Sequence, residues 1–243
     1  MKHPLMIALA AGLLVLLAAA ALPLWQMLQP RAAAPAAAST PAAAQGLPWQ
    51  IEPQADGTAR VFGLRLGQAT LDQAWARFGD GLQLALVARL GEVGTLEALV
   101  EPMSAGFVSG RLVLALDVPE ATRRAWRERV EGSEPMEGGA RRFRLAPADR
   151  EQARQALVVG LSFVPSLRLS EADIRERFGA PARQLALADG ISALGYPAQG
   201  LVAMVQPGVR GLLQYVAPRD FEARLWAPLL AAPAKASPAS APR

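Results

Sequence analysis

Residues 64–81 read LRLGQATLDQAWARFGDG, and residues 167–181 read LRLSEADIRERFGAP. In each stretch a Leu-x-Leu alternation leads to a hydroxyl residue, then to a short helix closing on Arg-Phe-Gly. That tripeptide stands at 77–79 and returns at 177–179, a spacing of 100 residues. Thr70 with Gln73, and Ser170 with Asp173, have the spacing of a capping box, in which each partner satisfies a free N–H of the other's backbone. Ala74 with Phe78, and Ile174 with Phe178, are i,i+4 pairs on one helix face. Gly79 and Gly179 follow the last turn, where a backbone open to positive φ ends a helix. The Phe residues are predicted to be core anchors.

Working outward, each helix is followed by strand patterns. Leu82, Leu84, Leu86, Ala88 and Leu90 alternate onto one face. Gly91 to Gly94 predicts a turn, Thr95 to Met103 a second strand, and Phe107 to Leu116 a third, entered through Ala105-Gly106. Behind the second helix come Gln184 to Ala188, an Asp189-Gly190 hairpin signal, and Ile191 to Tyr196. Gln199-Gly200 turns into Leu201 to Gln206, and Pro207-Gly208 leads to Gly211 to Val216. Val61 to Leu66 is a possible leading strand. Between the halves a helix is predicted from Pro119 to Glu131, capped by Asp117, with Trp126 and Val130 on one face. A glycine-rich loop follows, then a strand from Arg141 to Leu145 and a helix from Pro147 to Val159. Leu157 to Val164 is the most apolar run of this region and is predicted core. A last short helix is predicted from Asp220 to Trp226.

These two capped helices, with their terminal Phe-Gly and the meander behind each, resemble the helix-plus-meander module of the BamE (SmpA/OmlA) family of bacterial envelope proteins. Two such modules in tandem also resemble the beta-lactamase inhibitory protein fold. Gly179-Ala180-Pro181 matches the module's Gly-x-Pro ending more closely than Gly79-Asp80-Gly81 does. The resemblance implies a module that contacts other envelope proteins, and it implies no catalysis. The lipid-bearing cysteine of the BamE family has no counterpart, since the chain holds no cysteine.

Upstream, residues 5–24 form an uncharged run of 20 residues, ended by Trp25. About 20 apolar residues in a helix cross a hydrocarbon core of roughly 30 Å. Trp25 suits the interfacial position. A retained anchor is the expectation; the alternative is a signal peptide cleaved near Ala32-Ala33-Ala34, releasing the body to the periplasm. Lys2 precedes the run and Arg31 follows it, which favours a cytoplasmic N-terminus in a bacterial inner membrane and a periplasmic body. The predicted organisation is a transmembrane anchor (1–28), an Ala/Pro linker (29–46), a first α+β module (47–118), a helical connection (119–164), a second α+β module (165–230) and a tail of disordered composition (231–243). The fold class is α+β: a transmembrane helix followed by two related short-helix plus antiparallel-meander modules.

Charge and composition narrow the chemistry. The chain is formally +4, but Lys2, Arg31, Lys235 and Arg243 lie outside the body, leaving 21 arginines against 21 acidic residues there. A neutral body gives no reason to expect nucleic acid as a partner. The single His is His3, the body has no Lys, and the chain has no Cys. An imidazole base, a thiol nucleophile, a Schiff base and a P-loop lysine are therefore unavailable in the body. No cofactor, metal site or catalytic residue is predicted. The expected function is that of a single-pass envelope protein whose body binds another protein or peptide. The alternatives are a carboxylate-dependent glycan hydrolase and a pocket for a small apolar ligand between helix and meander. Within Gln214 to Phe221, Tyr215 and Arg219 are the candidate interaction residues, because aromatics and Arg favour interface centres. The competing reading of that stretch is a strand end, a Pro stop and a helix cap.

Overall fold

A computed structural model describes residues 46–231. The predicted anchor, the linker before Gly46 and the tail beyond Ala231 lie outside the described residues. Among those described, no helix is long and apolar enough to cross a membrane.

The chain folds as a mixed α+β body with two antiparallel sheets. A small one joins β1 (Glu52–Pro53), β2 (Ala59–Val61) and β3 (Leu64–Arg65). The large one holds ten strands. In chain order these are β4 (Leu82–Arg89), β5 (Thr95–Ala105), β6 (Val108–Asp117), β7 (Gly132–Pro135), β8 (Ala140–Arg144) and β9 (Leu157–Pro165). Then follow β10 (Arg183–Ala186), β11 (Ser192–Tyr196), β12 (Leu201–Val205) and β13 (Leu212–Val216). Their order across the sheet is β10-β11-β12-β13-β9-β6-β5-β4-β8-β7. The helices are α1 (Leu71–Phe78), α2 (Glu120–Arg127), α3 (Pro147–Ala153) and α4 (Glu171–Phe178). A π-helical turn, Glu222–Trp226, runs directly into α5 (Ala227–Ala231) at the end of the described chain.

The two capped helices form as their sequences dictate. Thr70 and Ser170 are extended at ψ 164° and 168°, and each closes a reciprocal capping box. Gly79 and Gly179 end α1 and α4 at φ 74° and 84°, a backbone region costly for any residue with a Cβ. Hydrogen bonds from Ser170, led by its hydroxyl, hold the Asp173 carboxyl below its usual range. The halves are not discrete bodies. They share one sheet, and a single apolar cluster runs from Leu86 and Leu112 through Phe163 to Leu213 and Leu201.

Several expectations are corrected. Val61 to Leu66 is a tight turn rather than one strand: Phe62 and Gly63 both take positive φ between β2 and β3. Leu90 does not extend the β4 alternation; it lies beyond the strand and is fully exposed. The connection 119–164 is not wholly helical, since it contains β7, β8 and β9. Asp117 does not cap α2, because it is the last residue of β6, paired with Leu157; Pro119 occupies the cap position. Trp126 is buried, with its indole N–H donating to Gln152. The helix expected to reach Val159 stops at Ala153, and Leu157–Pro165 is a central strand buried on both faces. A fully buried strand has no alternation to distinguish it from a buried helix.

Candidate functional site

The strand registers sort the large sheet into two faces. One face carries Leu86, Leu96, Leu114, Phe163, Tyr215 and Leu201 and belongs to the main core. The buried apolar residues of α1 to α4, among them Leu71, Ala74, Trp126, Ala153, Ile174 and Phe178, all pack into that same cluster. On the opposite face, Met136 packs on Val87 and Ala140 near the β8 end of the first half, and helix covers the second half. There Phe221, Leu225, Trp226 and Leu229 lie on Ala193, Val202, Met204, Leu212 and Val216. Gly195 lets the Trp226 ring approach, since a Cβ there would stand 2.7 Å from it.

The first half of that opposite face is the candidate site. Among the described residues no helix packs on it. Leu99 pairs with Gln83 on β4 and Val113 on β6, and Glu97 pairs with Ala85 and Ala115. Leu99, Val113 and Ala115 are partly exposed on it among Thr95, Glu97, Gln83, Arg142 and the Glu101–Arg111 ion pair, so small apolar side chains alternate with polar ones and the Glu97 carboxylate stands near the middle. The Thr95 hydroxyl donates to Glu97 Oε1 at 2.8 Å. Desolvation raises the Glu97 pKa from 4.5 to about 7, against the smaller opposing pull of the Thr95 bond and of Arg142 on β8.

At the seam between the covered and open halves, Ser162 on β9 faces Gln214 on β13. Both are buried, and the Ser162 hydroxyl oxygen and both amide atoms of Gln214 have no hydrogen-bond partner among the described residues. A buried polar group without a partner costs about 1–3 kcal/mol. The open face also borders a groove. Strand β8 pairs with β4 only from Leu86 to Arg89, so the β4 edge at 82–85 is free on that side. A groove of about 200 Å³ lies along it, lined by Gln83, Ala85, Gly132, Glu134, Arg142 and Arg144.

A second, shallower groove of about 700 Å³ lies between α1 and α3. It brings together Asp72, Asp80 and Glu151, and Arg154 pairs with both Asp72 and Glu151. Among the described residues no cluster of three His, Cys, Asp or Glu side chains could hold a metal ion. The space between the helices and the sheet, where an apolar ligand pocket was an alternative, holds side chains: Phe62 packs on Phe163 and Tyr215 at 5.3 and 5.7 Å between ring centres.

The two residues expected to form an interaction edge are not together on a surface. Tyr215 is fully buried in the main core, and its hydroxyl donates to the Pro48 carbonyl at 3.0 Å. Burial lifts its pKa well above the ordinary tyrosine value. Replacing Tyr215 with Phe removes that bond and leaves the carbonyl unpartnered. A loss of about 1–2 kcal/mol is expected from denaturant unfolding, and a variant as stable as the parent would contradict the buried placement. Arg219 is exposed and braces the small sheet: its N–H donates to the Gly57 carbonyl at 3.1 Å, and its aliphatic stem lies against Gly57.

The repeated arginines act in a way the motif did not disclose. Arg77 donates to the Phe62 carbonyl, and Arg177 stacks 4.1 Å above the Trp49 ring. Together they clasp the segment through which the chain enters the body. The open half-face was also missed. Leu99 and Val113 alternate as residues of any half-buried strand do, and only the position of the π-helical turn and α5 tells which half they cover. Comparisons with protein-family models, with curated proteins and with solved structures return no match.

Proposed function

We propose that this chain is a single-pass envelope protein whose body binds another protein or peptide on the open half of the large sheet. The observation that carries the reading is a half-face with Leu99 and Val113 partly exposed, left uncovered by the helices described and bordered by buried polar side chains without partners. Apolar side chains left partly exposed without a covering helix are a mark of interaction sites. An extended segment laid along the free β4 edge would gain backbone hydrogen bonds there, with its side chains lying over Ala85 and toward Leu99 on β5. The rest of the reading comes from the sequence. Residues 5–28 anchor the chain in the bacterial inner membrane with the N-terminus cytoplasmic, and the body lies in the periplasm. The two capped helices with their meanders are related modules of the BamE-like kind, and the body acts by binding without catalysis.

Site-specific photo-crosslinking tests the proposal in cells producing the full chain. A photoreactive residue at Leu99 should yield one discrete adduct. The same residue at Leu90, which is more accessible but lies off the face, should yield none. Val113→Glu should abolish the Leu99 adduct while leaving the amount of protein unchanged. Identical adduct patterns at the two positions, or none at Leu99, would overturn the site.

A further inference from the structure

Phe107 is 73% exposed and Leu167 is 41% exposed. They belong to one end of the sheet. Phe107 sits in the turn between β5 and β6, and the Ser166 N–H bonds to the Ser109 carbonyl at 2.8 Å, which puts Leu167 beside that turn. The partly exposed Trp49 joins them, its ring 5.8 Å from Phe107. Arg177 stacks on Trp49, and Arg168 follows Leu167; both arginines are exposed, with Asp173 and Glu176 as acidic neighbours of Arg177 on α4. Leu90, the other large apolar side chain exposed at a sheet turn, lies at the far end of β5. Eleven residues of strand separate the two turns, a distance of roughly 35 Å at 3.3 Å per residue.

We infer that this end of the body, Phe107, Leu167 and Trp49 with Arg168 and Arg177, rests on the surface of the bilayer that holds the anchor. The inference builds on the anchored reading above. The patch lies where the chain enters the body: Trp49 is three residues beyond Gly46, and residues 25–45 are all that separate Gly46 from the uncharged run. A chain of 21 residues reaches up to about 65 Å when extended. Such a length tethers the body without orienting it, and orientation must come from the body's own surface. Aromatic and aliphatic side chains rimmed by arginine are the composition that sits at the headgroup level, the rings in the boundary and the cations on anionic phosphates. Docked this way, β5 rises from the membrane and the open half-face stands clear of it.

The chain contains no cysteine, so single labels are unambiguous. Phe107→Cys, Leu167→Cys and Leu90→Cys, each carrying an environment-sensitive nitrobenzoxadiazole label, are compared in the full chain reconstituted into phosphatidylcholine–phosphatidylglycerol vesicles. The labels at 107 and 167 should emit to the blue of the label at 90 and be quenched by nitroxide-bearing lipids at least several-fold more strongly. Substituting Arg168 and Arg177 by Gln should weaken that quenching. If the chain co-floats with vesicles but the label at 107 behaves as the one at 90, the docking inference is wrong and the anchor stands. If the chain does not co-float, the anchored reading fails and the inference falls with it. A blue shift at 107 without lipid quenching would mean that protein, not lipid, covers the patch, and would also overturn the inference.

Discussion

Replacing Phe163 with Ala should destabilise the body by about 3–5 kcal/mol, the range for removing a large ring from a packed core. Phe163 is fully buried on β9, the strand that joins the two halves of the sheet. Its neighbours in register are Leu112 on β6 and Leu213 on β13, and Phe62 packs on its ring. Gly110, two residues before Leu112 on β6, makes room for the ring: a Cβ there would stand 2.7 Å from the Phe163 ring and 2.4 Å from the Val164 carbonyl. The surroundings are therefore strand backbone and packed rings, which relax little into a cavity. For a body of this size the loss amounts to a fall of roughly 6–20 °C in Tm. Because one apolar cluster reaches both halves, unfolding should remain a single transition, displaced as a whole. Thermal denaturation followed by near-ultraviolet and far-ultraviolet circular dichroism checks both points. Two separated transitions, only one of them shifted, would mean that the halves are independent modules.

The single core bears on how far the sequence could be read. Thr70, Gln73 and Gly79, and their counterparts Ser170, Asp173 and Gly179, act through bonds to near neighbours, and the helices they bound are where the pattern puts them. The same holds for Asp189-Gly190, where both residues take positive φ between β10 and β11. What the sequence concealed depends on contacts distant along the chain. Leu157–Pro165 reads as a continuous apolar run because β6 and β13 flank it and both its faces are buried. Tyr215 reads as a contact residue because Gln214 precedes it and Arg219 follows within the same short stretch, yet it sits in the sheet with its hydroxyl on Pro48. Strand β7, Gly-Ser-Glu-Pro, carries no apolar alternation because it is an exposed edge. The candidate face is invisible for a related reason: its residues are ordinary, and what marks them is that Phe221, the π-helical turn and α5 cover the neighbouring half of the same sheet.

Glu97→Gln should stabilise the body at pH 8 and give no gain at pH 4. A carboxyl whose pKa goes from 4.5 to about 7 on folding retains, between those values, a proton that the unfolded chain has released. Its contribution to stability is thus complete below about pH 4.5 and is lost as the pH rises through about 7. The difference corresponds to roughly 3 kcal/mol at full deprotonation. The chief cause is desolvation, since β4 and β6 present only Ala85, Val87, Val113 and Ala115 around Glu97, with Arg142 on β8 as the one opposing charge of consequence. A glutamine keeps an acceptor for the Thr95 hydroxyl and removes the charge. Urea unfolding of parent and variant at pH 4 and pH 8 should therefore show curves that coincide at the lower pH and separate by up to about 3 kcal/mol at the higher one. An equal separation at both would show that Glu97 is solvated like any surface acid. The same charge sets a condition on a partner. A cation brought over the open half-face would favour the ionised form, so its binding should release a proton near pH 7 and tighten from pH 6 to pH 8. That pH dependence should vanish in the Glu97→Gln variant, which ties the carboxylate at the centre of the face to the act of binding itself.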